Sequence, residues 1–243
     1  MTADPPAVEI VNAGGASPYV LTCEHASNYM PASYGGLGLS QQDLARHIAW
    51  DIGAADVART LSKLLDAPLF LSGYSRLLID CNRPPGSATS IPMVSETTAI
   101  PGNIGLTNEE ARERAERWFW PFQTAIANHL DERLRLGRSA TILGVHSFTP
   151  VFKGVKRPWE AGVLFRHSVD LGRALVQGLR RHGRIAAENE PYRIEDDSDY
   201  TVPVHGERRN LDAVLIEIRQ DLIARPDHAK AWAEELNQVI RGI

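Results

Sequence analysis

The chain has 243 residues, 43% of them hydrophobic and 23% charged, and a formal net charge of −4. This is an ordinary globular composition, able to bury a sizeable core, and it lacks the clustered basic face of a nucleic-acid binder. Two cysteines, Cys23 and Cys81, are too few for a disulfide framework, and no apolar run approaches the roughly 18 residues of a membrane span.

Residues 1–17, rich in Pro, Gly and Ala, read as a loose lead-in to a single domain spanning 1–243. The N-terminus MTADPPAVEI has neither the charged nor the apolar region of a signal peptide, which predicts a cytoplasmic enzyme or binding protein. "PYVLTCEH" reads as a buried strand with a polar tip, followed by a Gly-, Pro- and Tyr-rich loop over 26–39. Ser40 can N-cap a helix running toward Leu65, with a break near Asp51-Ile52-Gly53 because Gly53 weakens a helix interior. "APLFLSG" and "RLLIDCN" read as strands, and 82–103 as a long loop. The next segment, 106–137, is helical: Thr107 with Glu110 forms a capping box, and Pro121 kinks or divides the helix. "ATILGVHSF" and "AGVLFR" are strands, and residues 167–183 form an amphipathic helix ending in Gly183. A loop from "RIAAENEPY" to "VPVHGERRN" precedes the strand "DAVLIEIRQDL" and a final helix. Strands alternating with helices predict an α/β fold with a mostly parallel central sheet flanked by helices.

Four apolar runs end in chemically able residues: "VLTCEH", "LLIDCNR", "TILGVHS" and "VLIEIR". In an open α/β sheet, ligands bind beyond the carboxyl ends of the strands. Four such ends on one edge would gather Glu24, His25, Asp80, Asn82, Arg83, His146, Ser147, Glu217 and Arg219 at one crevice. Of the eight histidines, only His25 and His146 directly follow buried apolar runs. A single strand-end His is usually a hydrogen-bonded structural residue. Two, with a carboxylate nearby, fit a His/His/carboxylate zinc set that leaves one position for water. Nitrogen and oxygen donors would also accept manganese or iron.

Glu217 lies inside an apolar strand, where a carboxylate is costly unless paired or functional. It is either a salt-bridge partner or a general base. Asn82 and Arg83 offer an amide and a guanidinium fork for a carboxylate. Arg76 is a second anion clamp or an oxyanion donor. Ser147 stands at the same edge without a nucleophile motif, and His205, in "VPVHGERRN", is a weaker loop candidate; both are taken as substrate contacts. The expected ligand is a small-molecule carboxylate. Nothing in the sequence speaks to the oligomeric state.

The ordered set "CEHASN", "WDIGA", "YSRLLIDCNRPPG", "GVHSFTP", "VHGERRN" and "LIEIRQDL", spanning about residues 18–225, resembles the N-formylglutamate amidohydrolase family. The resemblance implies a zinc-dependent hydrolase of phosphorylase/hydrolase-like fold that cleaves N-formyl-L-glutamate to formate and glutamate, a step of histidine degradation. A more distant resemblance is to zinc carboxypeptidases. It implies that His146 is a zinc ligand, Asn82 and Arg83 hold a substrate carboxylate, Glu217 is the base, and Asp80 orients His25 from behind. Those peptidases supply a carboxylate ligand three residues after the first His, where this chain has Asn28. The missing ligand is then assigned first to Asp51 and in reserve to Glu24.

Overall fold

A computed structural model describes residues 4–243. Eleven strands follow in chain order: β1 (Val8–Val11), β2 (Tyr19–Cys23), β3 (Leu69–Ser72), β4 (Val94–Ser95), β5 (Thr98–Ala99), β6 (Thr141–Phe148), β7 (Val151–Phe152), β8 (Val155–Lys156), β9 (Ala161–Leu164), β10 (Ala186–Glu188) and β11 (Ala213–Arg219). Seven of them form one mixed sheet in the order β1-β3-β2-β6-β11-β9-β10. The inner strands β3, β2, β6 and β11 run parallel, whereas β9 opposes β11 and β1 opposes β3. The carboxyl ends of β2, β6 and β11 therefore share one edge. β4–β5 and β7–β8 are small separate hairpins.

The α-helices are α1 (Gln41–Leu44), α2 (Ala54–Leu65), α3 (Asn108–Arg114), α4 (Trp120–Arg135), α5 (Val169–Arg181) and α6 (Pro226–Arg241). Apolar faces of α2, α5 and α6 cover one side of the sheet, where Val57, Leu61, Leu179 and Trp232 meet Leu21, Leu143 and Ile216. On the other side Phe122, Ile126 and Leu130 of α4 meet Val20, Phe70, Ile142 and Leu215. This is the expected α/β architecture: strands buried on both faces read as continuous apolar runs because helices cover both.

Several local expectations are corrected. Residues 4–17 are not wholly loose: "VEIV" pairs along the β3 edge as β1, while 1–3 lie outside the described residues. "RLLIDCN" is not a strand. Leu77, Leu78 and Ile79 are buried in a third cluster with Leu37, Ile100 and Trp118, and their backbone is satisfied by side chains rather than by a ladder. Arg114 Nη1 donates to the Leu78 carbonyl and Asn103 Nδ2 to the Leu77 carbonyl. An apolar run signals burial, and a side chain that satisfies the backbone can stand in for a neighbouring strand. The stretch from "RIAAENEPY" to "VPVHGERRN" contains β10 and a helical turn over Thr201–Gly206.

Other readings hold. Ser40 caps α1 by accepting from the Asp43 N–H. The helix breaks before Gly53, which has φ 81° and begins α2. Thr107 and Glu110 form the reciprocal capping box. Ahead of Pro121 the helix widens into a π turn at Ala115–Phe119, where the Trp120 N–H reaches the Ala115 carbonyl, and Pro121 falls in the first turn of α4, where its missing N–H costs little.

Candidate metal centre and cleft

Three strand ends build the site. His146 and Glu217 are direct cross-strand partners on β6 and β11. Continuing the Thr22–Gly144 pairing of β2 and β6 by two residues sets Glu24 level with His146. With a side-chain period of two, Glu24, His146 and Glu217 form a row on one face of the sheet. Gly162 of β9 pairs with Glu217 and ends the row. A Cβ at Gly162 would lie 1.7 Å from the Glu190 carbonyl oxygen, so only glycine lets the 189–191 segment cross beside Glu217.

Asp51 arrives from the break between α1 and α2. Its N–H donates to the His25 carbonyl at 2.9 Å. A Cβ at Gly53 would stand 2.2 Å from the Ile223 carbonyl oxygen, so glycine is also required for this close approach. Asp51 Oδ2 lies 3.3 Å from His25 Nδ1 and 3.0 Å from His146 Nδ1, and accepts from the Ser147 N–H at 3.1 Å. The donor atoms of His25, Asp51 and His146 all lie within 4.8 Å of one another, and all three residues are buried. Two ligands at about 2.0–2.1 Å on a tetrahedral centre are separated by roughly 3.3 Å, and two imidazoles with one carboxylate are a donor set that binds a divalent ion. The residues present therefore fit a metal.

The far nitrogen of each imidazole meets its own buried carboxylate. His25 Nε2 is 2.7 Å from Asp80 Oδ1, and His146 Nε2 is 2.8 Å from Glu24 Oε2. Such carboxylates fix the tautomer and orientation of a ligating histidine. Glu24, the reserve ligand of the sequence reading, thus stands behind His146, on the opposite side from Asp51, and its other oxygen accepts from Thr201 Oγ1 at 2.6 Å. The electrostatics follow from these contacts. Burial opposes ionisation of Asp51, but the two imidazoles hold its carboxyl well below the usual range. Glu24, also penalised by burial, is drawn down to about 2 by His146 and Thr201. His146 is raised well above its ordinary value, because Glu24 and Asp51 outweigh the burial that disfavours its charge.

Glu217 differs from the other carboxylates. Its Oε2 is buried with neither a hydrogen bond nor an ion pair among the described residues, whereas Glu24 Oε2, which also lacks a hydrogen bond, has His146 beside it at 2.8 Å; the Glu217 side chain lines the cavity. Burial pushes its carboxyl up to about 7, against the pull of His146. The cavity measures about 590 Å³ and runs from His25, Asp51 and His146 past Arg76 and Arg83 to Tyr192. Its rim includes β4 and Phe152 of β7. The two hairpins are joined through Glu96, which pairs with Arg46 at 2.9 Å and accepts from the Lys153 N–H at 3.1 Å.

The remaining candidates are more committed than the sequence implied. Arg76 donates through Nε and Nη2 to Asp80 Oδ2, at 3.0 and 2.5 Å, and its Nη1 keeps only a 3.4 Å contact to Asp51. Asn82 donates to Asp199 and accepts from the N–H groups of Tyr200 and Thr201. Arg83 lies 3.6 Å from Asp199 and 4.0 Å from Asp80. Ser147 Oγ donates to the Ile52 carbonyl and so holds the Asp51 loop. His205 lies off the cavity, 2.7 Å from Gln123 Oε1. Arg219 donates to Asp221 and to the carbonyls of Pro158 and Trp159, also off this cavity. The sequence reading missed Thr201, Asp199 and Tyr192. Only their distance in sequence from the strand tips hid them; "DDSDY" gave no periodic signal.

A family model described as N-formylglutamate amidohydrolase matches residues 17–224. The chain belongs to the N-formylglutamate amidohydrolase family. Among solved structures, the gene product Atu2144 of Agrobacterium tumefaciens is 38% identical, superposes with a TM-score of 0.95, and is matched over 98% of this chain and 95% of that one. An N-formylglutamate amidohydrolase from Ralstonia eutropha JMP134 shares the fold at 18% identity and TM-score 0.68, over 97% of this chain and 99% of that one. A metallo-carboxypeptidase from Burkholderia cenocepacia aligns at 11% identity and TM-score 0.42, over 98% of this chain and 65% of that one. A search of curated proteins finds no significant match. Family membership supports an amidohydrolase activity for the chain.

Proposed function

We propose that the protein is a metal-dependent amidohydrolase that cleaves the linear amide of an N-acyl amino acid, with N-formyl-L-glutamate the substrate the family description suggests. The observation that carries this reading is the pairing of a metal-competent His25–Asp51–His146 triad with an unpartnered buried carboxylate, Glu217, in one cavity. A zinc ion there would supply Lewis acidity to the amide carbonyl and acidify a water.

The chain's own residues do the rest. Asp80 and Glu24 hold the two imidazoles in place from behind. Glu217, ionised above a pKa of about 7, takes a proton from the attacking water and returns it to the departing nitrogen, a task suited to a base poised near neutrality. Arg76 lines the same cavity, and its Nη1 is the N–H group left to meet a developing oxyanion. Asn82 and Arg83 mark the end of the cleft at which a substrate's polar group is received.

Glu217→Gln keeps the shape and removes the base. Turnover of N-formyl amino acids should fall by roughly 10²–10⁴-fold while metal content, measured by elemental analysis, stays at the wild-type value. Wild-type turnover in that variant would reject the assignment. A panel of N-formyl, N-acetyl and dipeptide substrates separates this activity from the same chemistry on a small peptide.

A further inference from the structure

The β7–β8 hairpin contributes to the cavity wall without belonging to the main sheet. Its strands pair only with each other, and a lone two-stranded hairpin is marginally stable in water. Val151 and residues 153–156 are exposed; Phe152 alone is half-buried, and it lines the cavity. Tyr192 lines the same cavity from the 189–193 segment. That segment is pinned at its start, where the Asn189 N–H donates to the Val163 carbonyl at 2.9 Å and Asn189 Oδ1 accepts from the Phe165 N–H at 2.9 Å. Further along, Tyr192 is held from behind by Arg157, a half-buried residue just past β8. The guanidinium carbon of Arg157 lies 4.6 Å from the ring centre of Phe152, 4.8 Å from that of Tyr192 and 5.8 Å from that of Phe148, the last residue of β6. All three are within the roughly 6 Å reach of a cation–π contact. Its Nη1 donates to Tyr192 Oη at 2.9 Å and, more weakly, to the Thr149 carbonyl at 3.5 Å. The guanidinium is thus spent on rings and neutral oxygens, and it bridges the sheet, the hairpin and the loop.

We propose that Arg157 is a positioning residue of this cleft: by packing its guanidinium on Phe152 and Tyr192 and donating to the Tyr192 hydroxyl, it clamps the β7–β8 hairpin to the 189–193 segment, so that the two rings form one preset wall for the substrate. The effect on substrate rests on the hydrolase reading above; the clamp itself does not. A wall fixed before binding spares the complex the cost of ordering it. Arginine suits the task because its planar guanidinium can stack on rings and still donate from its edge. The chain beside Glu217 is fixed by other means, through the close approach at Gly162 and the bonds of Asn189. Loss of the clamp therefore weakens substrate binding and leaves the proton transfer in place.

The test uses the full-length, metal-loaded protein and reads both the hairpin and the kinetics. The chain has four lysines: Lys153 and Lys156 lie in the hairpin, Lys63 and Lys230 within α2 and α6. Limited digestion with a lysine-specific protease therefore reports on the hairpin, and cleavage of the Lys153–Gly154 bond is followed by mass spectrometry. In Arg157→Gln that bond should be cut roughly five- to tenfold faster than in the wild type, the scale of a cation–π contact with a hydrogen bond. KM for N-formyl-L-glutamate should rise by about the same factor, with kcat moving less than about twofold and metal content unchanged. Tyr192→Leu, which removes the ring, should loosen the hairpin similarly. Adding Arg157→Gln to Tyr192→Leu should then change the cleavage rate and KM by less than about twofold, because the two residues act as a unit. A Lys153–Gly154 bond cut at the wild-type rate in Arg157→Gln would overturn the proposal. So would an Arg157→Gln effect that persists in full beside Tyr192→Leu, or a loss confined to kcat. If the metal-loaded wild type hydrolyses no N-formyl amino acid, the hydrolase reading falls, while the cleavage rates still decide whether Arg157 clamps the hairpin.

Discussion

His25 and His146 are legible in the sequence because each ends a run that must be buried, so each imidazole has to stand at a strand tip. The role of Glu24 is not legible. Adjacent residues on a strand point to opposite faces, and that rule correctly separates Glu24 from His25. It cannot show that Glu24 comes level with a histidine 122 positions later. Only the β2–β6 register decides that, and it places Glu24 Oε2 2.8 Å from His146 Nε2. Carboxylates behind metal-binding histidines are worth roughly 10–100-fold in metal affinity. Glu24→Gln should therefore weaken metal binding within that range in a chelator competition titration, while His25→Ala abolishes it. Undiminished affinity in Glu24→Gln would deny Glu24 this role.

At the scale of elements, the apolar runs of β2, β6 and β11 mark them correctly as strands, and "RLLIDCN" shows the limit of that signal. Burial on all sides looks the same in sequence whether a neighbouring strand or an arginine and an asparagine satisfy the backbone. Close approaches are invisible for a similar reason. Nothing local distinguishes Gly162, packed on Glu190, from Gly14, where an added Cβ would meet nothing within 4 Å. Gly162→Ala should destabilise the fold by more than about 2 kcal/mol, the range for overpacking against a fixed backbone, whereas Gly14→Ala should stay within about 0.5 kcal/mol. Urea unfolding midpoints of the two variants check this, and equal effects would contradict the close packing at Gly162.

For the whole molecule, the site is a place where folding gathers charge. Four buried carboxylates, Glu24, Asp51, Asp80 and Glu217, lie with two buried imidazoles at one sheet edge. The metal-free protein balances them by keeping a proton on His146, raised well above its ordinary value by Glu24 and Asp51. A metal at Nδ1 must displace that proton. A raised folded-state value means the proton is held at neutral pH and released only as pH climbs, so metal competes worst at low pH. Apparent metal affinity should thus rise as pH climbs above the ordinary histidine value of about 6.5, by up to about tenfold per unit for one proton released. Competition titrations from that value upward, in buffers of differing ionisation heat, would show both the slope and the proton; a pH-independent affinity would contradict the charge balance.

Burial and periodicity act along the chain, and they suffice for the α/β class, the three strands with polar tips, the two histidines and the lone acid in an apolar strand. They do not bring Asp51 to the histidines, stand Glu24 behind one of them, or seat Asp199 against Asn82. Those are contacts between residues dozens to more than a hundred positions apart. Strand register and the paths of loops across the sheet edge set them, and no local pattern encodes either.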